Sequence, residues 1–286
     1  MVKRILITGA NGFLGSAITK LGIKKGYKVS ILVRKNSNLI NLKPFLSKLK
    51  VYYGNLEDIE SLNQPIKDND VIFHVAADYR LWSRKPAEIY AANVLGTENI
   101  ALKTLTHNKI LIYTSSVATL KLKKDFISDE NSVAKFDDMV GDYKKSKFLA
   151  EKIISSFIKK KKLKGIIVNP STPIGEGDIK PTPTGKIILD VLKKEMPAYV
   201  DTGLNFVHVD DVAEGHFLAL KYGKIGEKYI LGGENLNFKD FIDLVSEIGK
   251  VPKVKFKINQ KYLYFFALIN EIFARYIFHY NPSLTL

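Results

Sequence analysis

The chain has 286 residues, enough for one large domain or a domain with a smaller lobe, and its apolar share of 46% is that of an ordinary soluble globular protein. It has no cysteine, which excludes disulfides and thiolate metal sites and predicts a reducing, cytoplasmic setting with no metal centre. The formal charge of +15 is lysine spread along the whole chain with no basic stripe interleaved by aromatics, so the expected partner is an anionic small molecule and not a nucleic acid.

Met1–Arg4 run straight into an apolar β-branched stretch, without the pattern of a signal peptide. Strands are predicted at Ile5–Ile7, Val29–Val33, Val71–Val75, Ile110–Tyr113 and Ile166–Val168. Amphipathic helices are predicted between them at Ala17–Lys25, Glu88–Leu105 and Lys144–Lys159. Strands alternating with helices pair in parallel through right-handed crossovers, so the fold class is α/β with a doubly wound parallel sheet. Fully apolar strands agree with a sheet covered on both faces.

The rhythm breaks near Asn169, where NPSTPIGEGDIKPTPTG (169–185) reads as a long loop rich in Pro and Gly. A helix around Ile187–Lys194, a short strand near Tyr199, the stretch FVHVDDVAEGHFLAL (206–220) and a strand at Lys228–Leu231 follow. The aromatic stretch 262–280 is interrupted by Asn270, Glu271 and Arg275 and does not span a bilayer. A buried helix is expected there in preference to one lying on a membrane surface.

ITGANGFLG (7–15) places three glycines where the first strand gives way to the first helix. Gly9 suits the tight turn, Gly12 the close approach of a pyrophosphate and Gly15 the packing of helix on sheet, with Asn11, Phe13 and Leu14 completing the loop and the first helical turn. Residues 1–170, with 206–234 returning to them, are therefore expected to form a dinucleotide-binding Rossmann domain, and 171–205 with 235–286 a smaller, interleaved substrate lobe. At the end of the second strand a carboxylate would bind the ribose of NAD. Arg34 and Lys35 stand there instead, which favours NADP(H) over NAD(H) through a 2′-phosphate.

Tyr143 and Lys147 lie four apart and share a helix face, shortly after Ser115 and Ser116 at the end of a predicted strand. Ligands of open α/β sheets bind outside the carboxyl ends of the strands, so this set can serve hydride transfer at a carbinol or ketone carbon. A tyrosine base needs a neighbouring cation to favour its phenolate, and a serine hydroxyl can hold the substrate oxygen. A strand-end cap for the serines and a half-buried aromatic for Tyr143 are the structural alternatives.

With TGANGFLG, HVAA (74–77), NVLGT (93–97), SS (115–116), YKKSK (143–147) and FVHVDDVA (206–213) in this order, the chain resembles the extended short-chain dehydrogenase/reductases, the NAD(P)-dependent epimerase/dehydratase family. Within that family HVAADYRLW, YAANVLGT and MPAYVDTGLNFVHVDDVAEGH look most like hopanoid-associated sugar epimerases, with dihydroflavonol 4-reductase-like proteins next. The resemblance implies that Tyr143 is the acid/base, Lys147 binds the ribose and tunes it, and Ser116 orients the substrate. It implies cofactor contacts at Ala76, Ala77 and Pro170, support of the active-site helix by Asn93, and adenine contact by Asn55 beside Leu56. Asp78, Tyr79, Arg80 and Trp82 are candidates for a small, sugar-like substrate. His208, Asp210 and Asp211 are expected to stabilise a hinge, and His74 to be a satisfied core histidine.

Relatives run past NPSLTL (281–286), so the substrate lobe is expected to be truncated, and a homodimer is left open. The activities implied are an epimerase that recycles its cofactor or a ketone reductase that exchanges it. A non-catalytic NADP sensor is the reading from another class.

Overall fold

The computed structural model describes residues 3–122 and 127–259. The N-terminal part runs β1 (Arg4–Thr8), α1 (Phe13–Lys24), β2 (Lys28–Val33), β3 (Leu49–Tyr53), α2 (Asn63–Lys67) and β4 (Val71–His74). It continues through α3 (Pro86–Tyr90), α4 (Gly96–Thr106), β5 (Ile110–Thr114), α5 (Gly141–Lys161) and β6 (Lys164–Pro170). The remainder runs β7 (Thr172–Ile174), α6 (Pro183–Leu192), β8 (Ala198–Val200), β9 (Gly203–His208) and α7 (Val209–Tyr222), then β10 (Lys228–Leu231), β11 (Glu234–Asn237), α8 (Phe238–Ile248) and β12 (Phe256–Ile258).

A seven-stranded sheet in the order β10-β6-β5-β4-β1-β2-β3 is parallel throughout. Its alternation explains both coats. Ile5 and Ile7 face one side with Val29, Ile31, Phe73 and Ile112, packed under Ile18 of α1 and Val209, Ala213 and Phe217 of α7. Leu6 faces the other with Leu32, Ile72 and Leu111, packed under Ile100 of α4 and Ala150, Ile154 and Phe157 of α5. A parallel sheet with both faces buried is the expected form of a doubly wound fold, and it carries every strand end of the site to one edge.

Three details correct the sequence reading. The stretch 169–185 is not one loop: β6 runs to Pro170, β7 follows, and α6 starts at Pro183, with the Thr182 hydroxyl accepting from Gly185 N at its N-terminus. The predicted helix 88–105 is interrupted by a π-helical turn, Ala91–Leu95, between α3 and α4. β11, α8 and β12 were not anticipated. β7, β9 and β11 form a small three-stranded sheet, β8 pairs with β12, and Phe206, Phe238, Phe241 and Ile242 anchor a separate apolar cluster. The stretch 262–280 lies outside the described residues, among which no helix is long and apolar enough to cross a membrane.

Candidate active site

The glycine turn is built by contact distances. Gly9 has φ +69°, and a Cβ there would lie 2.7 Å from the Ala76 Cα, so β1 and the segment after β4 meet backbone to backbone. A Cβ on Gly15 would lie 2.1 Å from the Gly9 carbonyl oxygen, so α1 is held hard against the turn. Gly12 is different. It caps α1 in an extended conformation, and its nearest neighbour to an added Cβ is the Gly9 oxygen at 3.3 Å. Two of the three glycines are fixed by packing, and the third stands at the helix N-terminus with room beside it for an anion.

Asn11 joins Arg34, Lys35, Asn36, Ser37 and Asn38 around a concavity of about 430 Å³ at the end of β2. Neither Arg34 nor Lys35 has an ion-pair partner among the described residues. Phe13 and Leu14 are partly buried against the core, and Ala76 abuts Gly9. Asn55 is exposed, its Oδ1 accepting from Glu57 N on the same loop at 3.4 Å, while the Leu56 carbonyl accepts from Asn99 Nδ2 at 2.9 Å. The turn, the helix terminus and the two basic side chains are a donor set that suits the phosphates of a dinucleotide.

Tyr143 stands in the first turn of α5, and Lys147 follows one turn later. Burial raises the Tyr143 phenol pKa, and a hydrogen bond with the Ser116 side chain opposes that rise. Ser116 Oγ accepts from Ala118 N at 3.1 Å, so the serine caps a short turn. Lys147 is buried. Its Nζ donates to the Thr114 carbonyl at 2.7 Å and to Tyr113 Oη at 3.1 Å. Burial lowers the Lys147 pKa to about 8, and the charge of Glu151 acts against that fall.

Asn93 sits within the π-helical turn, where the extra residue turns its side chain toward α5. Its Nδ2 donates to Ser146 Oγ and to the Asp78 carbonyl, both at 2.9 Å, and its Oδ1 accepts from Asp78 N at 2.7 Å. One asparagine therefore joins the segment after β4 to the residue beside Lys147.

The substrate candidates form a structured loop. Arg80 pairs with Asp78 and with Glu88, at 2.5 and 3.0 Å, so its guanidinium is already engaged by two carboxylates. Burial acts to raise the Asp78 pKa, but the hydrogen bonds and charge of Arg80 outweigh it and hold it low. Tyr79 Oη donates to the Lys180 carbonyl at 3.1 Å and so ties this loop to the one leading into α6. Trp82 is half-buried. Pro170 is buried at the end of β6 opposite Leu231. Beyond β7 lies a cavity of about 330 Å³, lined by Pro173, Ile174, Ile179, Ile188 and Leu189 and by Asp178, whose carboxylate accepts from Thr182.

His74 is fully buried between Thr8 Oγ1 at 2.8 Å and Thr97 Oγ1 at 3.0 Å, as a satisfied core histidine should be. His208 caps α7 by accepting from Asp210 N at 3.2 Å. The sequence reading missed Glu151, Lys228, Asn169 and Thr119, which pack behind the serines. Glu151 continues the Tyr143–Lys147 face by one turn and could have been flagged on that ground. Lys228 lies 77 residues further along and had no local signal.

Together these features define an α/β protein of the dinucleotide-dependent kind, with a glycine turn and a Ser–Tyr–Lys set at the carboxyl edge of a parallel sheet. The model of the NAD dependent epimerase/dehydratase family matches residues 5–232, and the chain belongs to that family. It is an NAD(P)-dependent epimerase, dehydratase or reductase.

A putative dihydroflavonol 4-reductase from Synechocystis sp. is 40% identical over 261 residues, covering 89% of this chain and 75% of the relative. Sterol demethylase protein B from Methylococcus capsulatus is 26% identical over 276 residues, covering 96% and 83%. The crystal structure of gox2253 superposes with a TM-score of 0.88 at 46% identity, over 99% of this chain and 86% of the other. A UDP-glucose 4-epimerase from Thermus thermophilus, solved with NAD, shares the fold with a TM-score of 0.76 at 20% identity, over 89% and 85% of the two chains.

Proposed function

We infer that the chain is an NADP(H)-dependent oxidoreductase that interconverts a secondary alcohol and a ketone, with Tyr143 as the acid/base. The observation that carries this reading is the meeting of Ser116, Tyr143 and Lys147 at the same sheet edge as the glycine turn. The nicotinamide, when bound, supplies or accepts the hydride. Gly9, Gly12 and Gly15 would cradle its pyrophosphate, and Arg34 and Lys35 its 2′-phosphate.

A phenol with a raised pKa is protonated at neutral pH, the state needed to give a proton to the oxygen of a carbonyl undergoing reduction. The Ser116 hydroxyl, which acts to lower the pKa of that phenol, orients the same oxygen. The Lys147 ammonium, fixed by Thr114 and Tyr113, lowers the cost of phenolate formation when the proton leaves.

The wall of Pro173, Ile174, Ile179, Ile188 and Leu189 and the engagement of Arg80 by two carboxylates favour a largely apolar substrate over a nucleotide-linked sugar. These features support the reductase reading over the epimerase one. The test is twofold. Nucleotide released on denaturation is identified and counted, and NADPH oxidation is followed with a panel of apolar ketones and aldehydes. A protein purified largely empty, with turnover that falls about 10²- to 10⁴-fold in Tyr143→Phe while NADPH still binds, is the expected result. One tightly held nucleotide per chain would favour the epimerase, and a reaction indifferent to Tyr143→Phe would favour a sensor.

A further inference from the structure

Glu151 is a buried carboxylate that none of the roles above uses. It lies on α5 four residues after Lys147 and eight after Tyr143, on the same helix face. A charge in that position costs several kcal/mol unless each oxygen is satisfied. Here both are. Oε2 accepts from Ser115 Oγ at 2.5 Å, from Thr119 Oγ1 at 2.7 Å and from Asn169 Nδ2 at 3.0 Å. Oε1 pairs with Lys228 Nζ from β10.

The donors around this carboxylate are the residues that hold Ser116. Asn169 Nδ2 donates to the Ser116 carbonyl at 2.9 Å, and Thr119 N and Oγ1 lie 3.1 and 2.8 Å from the same oxygen. Ser115 is its chain neighbour. The two residues that hold the Ser116 carbonyl, Asn169 and Thr119, and the chain neighbour Ser115 are thus themselves held by one carboxylate. Burial acts to raise the Glu151 pKa, but the charge of Lys228 and the hydrogen bonds from Lys228, Ser115 and Thr119 bring it below the ordinary value.

We propose that Glu151, locked by Lys228, is a positioning residue that holds the Ser116 hydroxyl in hydrogen-bonding register with Tyr143. The inference rests on the reading of Tyr143 as the acid/base, but its geometry does not depend on which substrate is reduced. The ion pair joins α5 to β10, so the serine turn is set by a strand that returns to the sheet only after α7.

The test uses the full chain with ¹³C-labelled tyrosine, the Tyr143 resonance being assigned with Tyr143→Phe. The Ser116 hydrogen bond favours the phenolate, so its loss in Glu151→Gln moves the Tyr143 titration to higher pH. Removing a negative charge with the serine left in place would ease ionisation and move it lower. The two accounts therefore differ in sign. Turnover of an apolar ketone falls about 10- to 100-fold in Glu151→Gln, with NADPH binding unchanged.

Lys228→Met is the milder variant, since that side chain is 31% exposed, and it carries the test if Glu151→Gln fails to fold. The titratable groups facing Glu151 are Lys228 on β10, Lys147 on α5 and Tyr113 on β5. Without Lys228 the carboxylate protonates at higher pH, so turnover gains a new acid limb and falls as pH falls. A Tyr143 titration that stays or moves lower in Glu151→Gln, or a Lys228→Met profile that matches wild type, overturns the proposal. If no carbonyl is reduced by wild type but the Tyr143 titration still moves upward, the functional reading fails and the positioning role stands.

Discussion

Lys147 owes its charge state to its surroundings. Burial brings its pKa down to about 8, and Glu151 limits the fall. The ammonium is present at neutral pH and is lost as pH rises through that value. We expect kcat/KM for carbonyl reduction to decline over this range, and the decline to shift to higher pH in Lys147→Arg, whose guanidinium stays charged. Initial rates between pH 6 and 10 check this (roughly two pH units either side of 8).

For Arg34 we propose the contact with the cofactor's 2′-phosphate. Arg34→Ala should weaken NADPH binding by about 10- to 100-fold and leave NADH unchanged, as fluorescence titration would read. An equal loss for both nucleotides would remove the 2′-phosphate assignment. His74 was legible because it depends on its place at a strand end. The engagement of Arg80 was not legible: its partner Glu88 comes from α3, and the pair of carboxylates spends the charge that the sequence leaves free.

At the scale of elements, the three glycines of the turn differ in how tightly they are packed. Gly15→Ala drives a Cβ to 2.1 Å from the Gly9 oxygen and should destabilise the fold by about 1–3 kcal/mol. Gly12→Ala meets that oxygen only at 3.3 Å, so it should cost about 1 kcal/mol or less while removing most nucleotide binding. Chemical denaturation paired with nucleotide titration distinguishes the two. Equal loss of stability in both variants would show that Gly12, too, serves packing alone.

The strands, α5 and the turn were readable because apolar periodicity and glycine spacing are local properties. The π-helical turn at Ala91–Leu95 was not, since Asn93 aims at Ser146 from a segment with unbroken helical composition. β7 was hidden in a Pro- and Gly-rich stretch. Its three residues are held by pairing with β9, which no local pattern reports.

Over the whole molecule, two buried histidines should dominate acid sensitivity. Burial lowers His74 to about 3 and, against a hydrogen bond to Val212, His216 to about 4. Between about pH 4 and the unfolded value of 6.5 the unfolded chain binds both protons and the native chain binds neither. Stability therefore falls as pH falls through that window, by about 1.4 kcal/mol per histidine per pH unit. Unfolding in denaturant at a series of pH values measures the slope, and His216→Gln should make it shallower. A flat profile from neutrality to pH 4 would refute it.

The sequence by itself determined the alternation of strands and helices up to β6, the two-sided apolar sheet, the glycine turn and the Tyr143–Lys147 face. Each follows from residues within a few positions of one another, where backbone geometry sets which side chains share a face. Only the tertiary structure decided which charges are spent and which are free. Among the described residues Arg80 has carboxylate partners and Arg34 has none, Lys147 is discharged near pH 8, and Glu151 is kept ionised by a lysine 77 residues away. The physical reason is that desolvation and ion pairing depend on what folding brings alongside a group, and a strand returning from α7 is remote in the chain but adjacent in space.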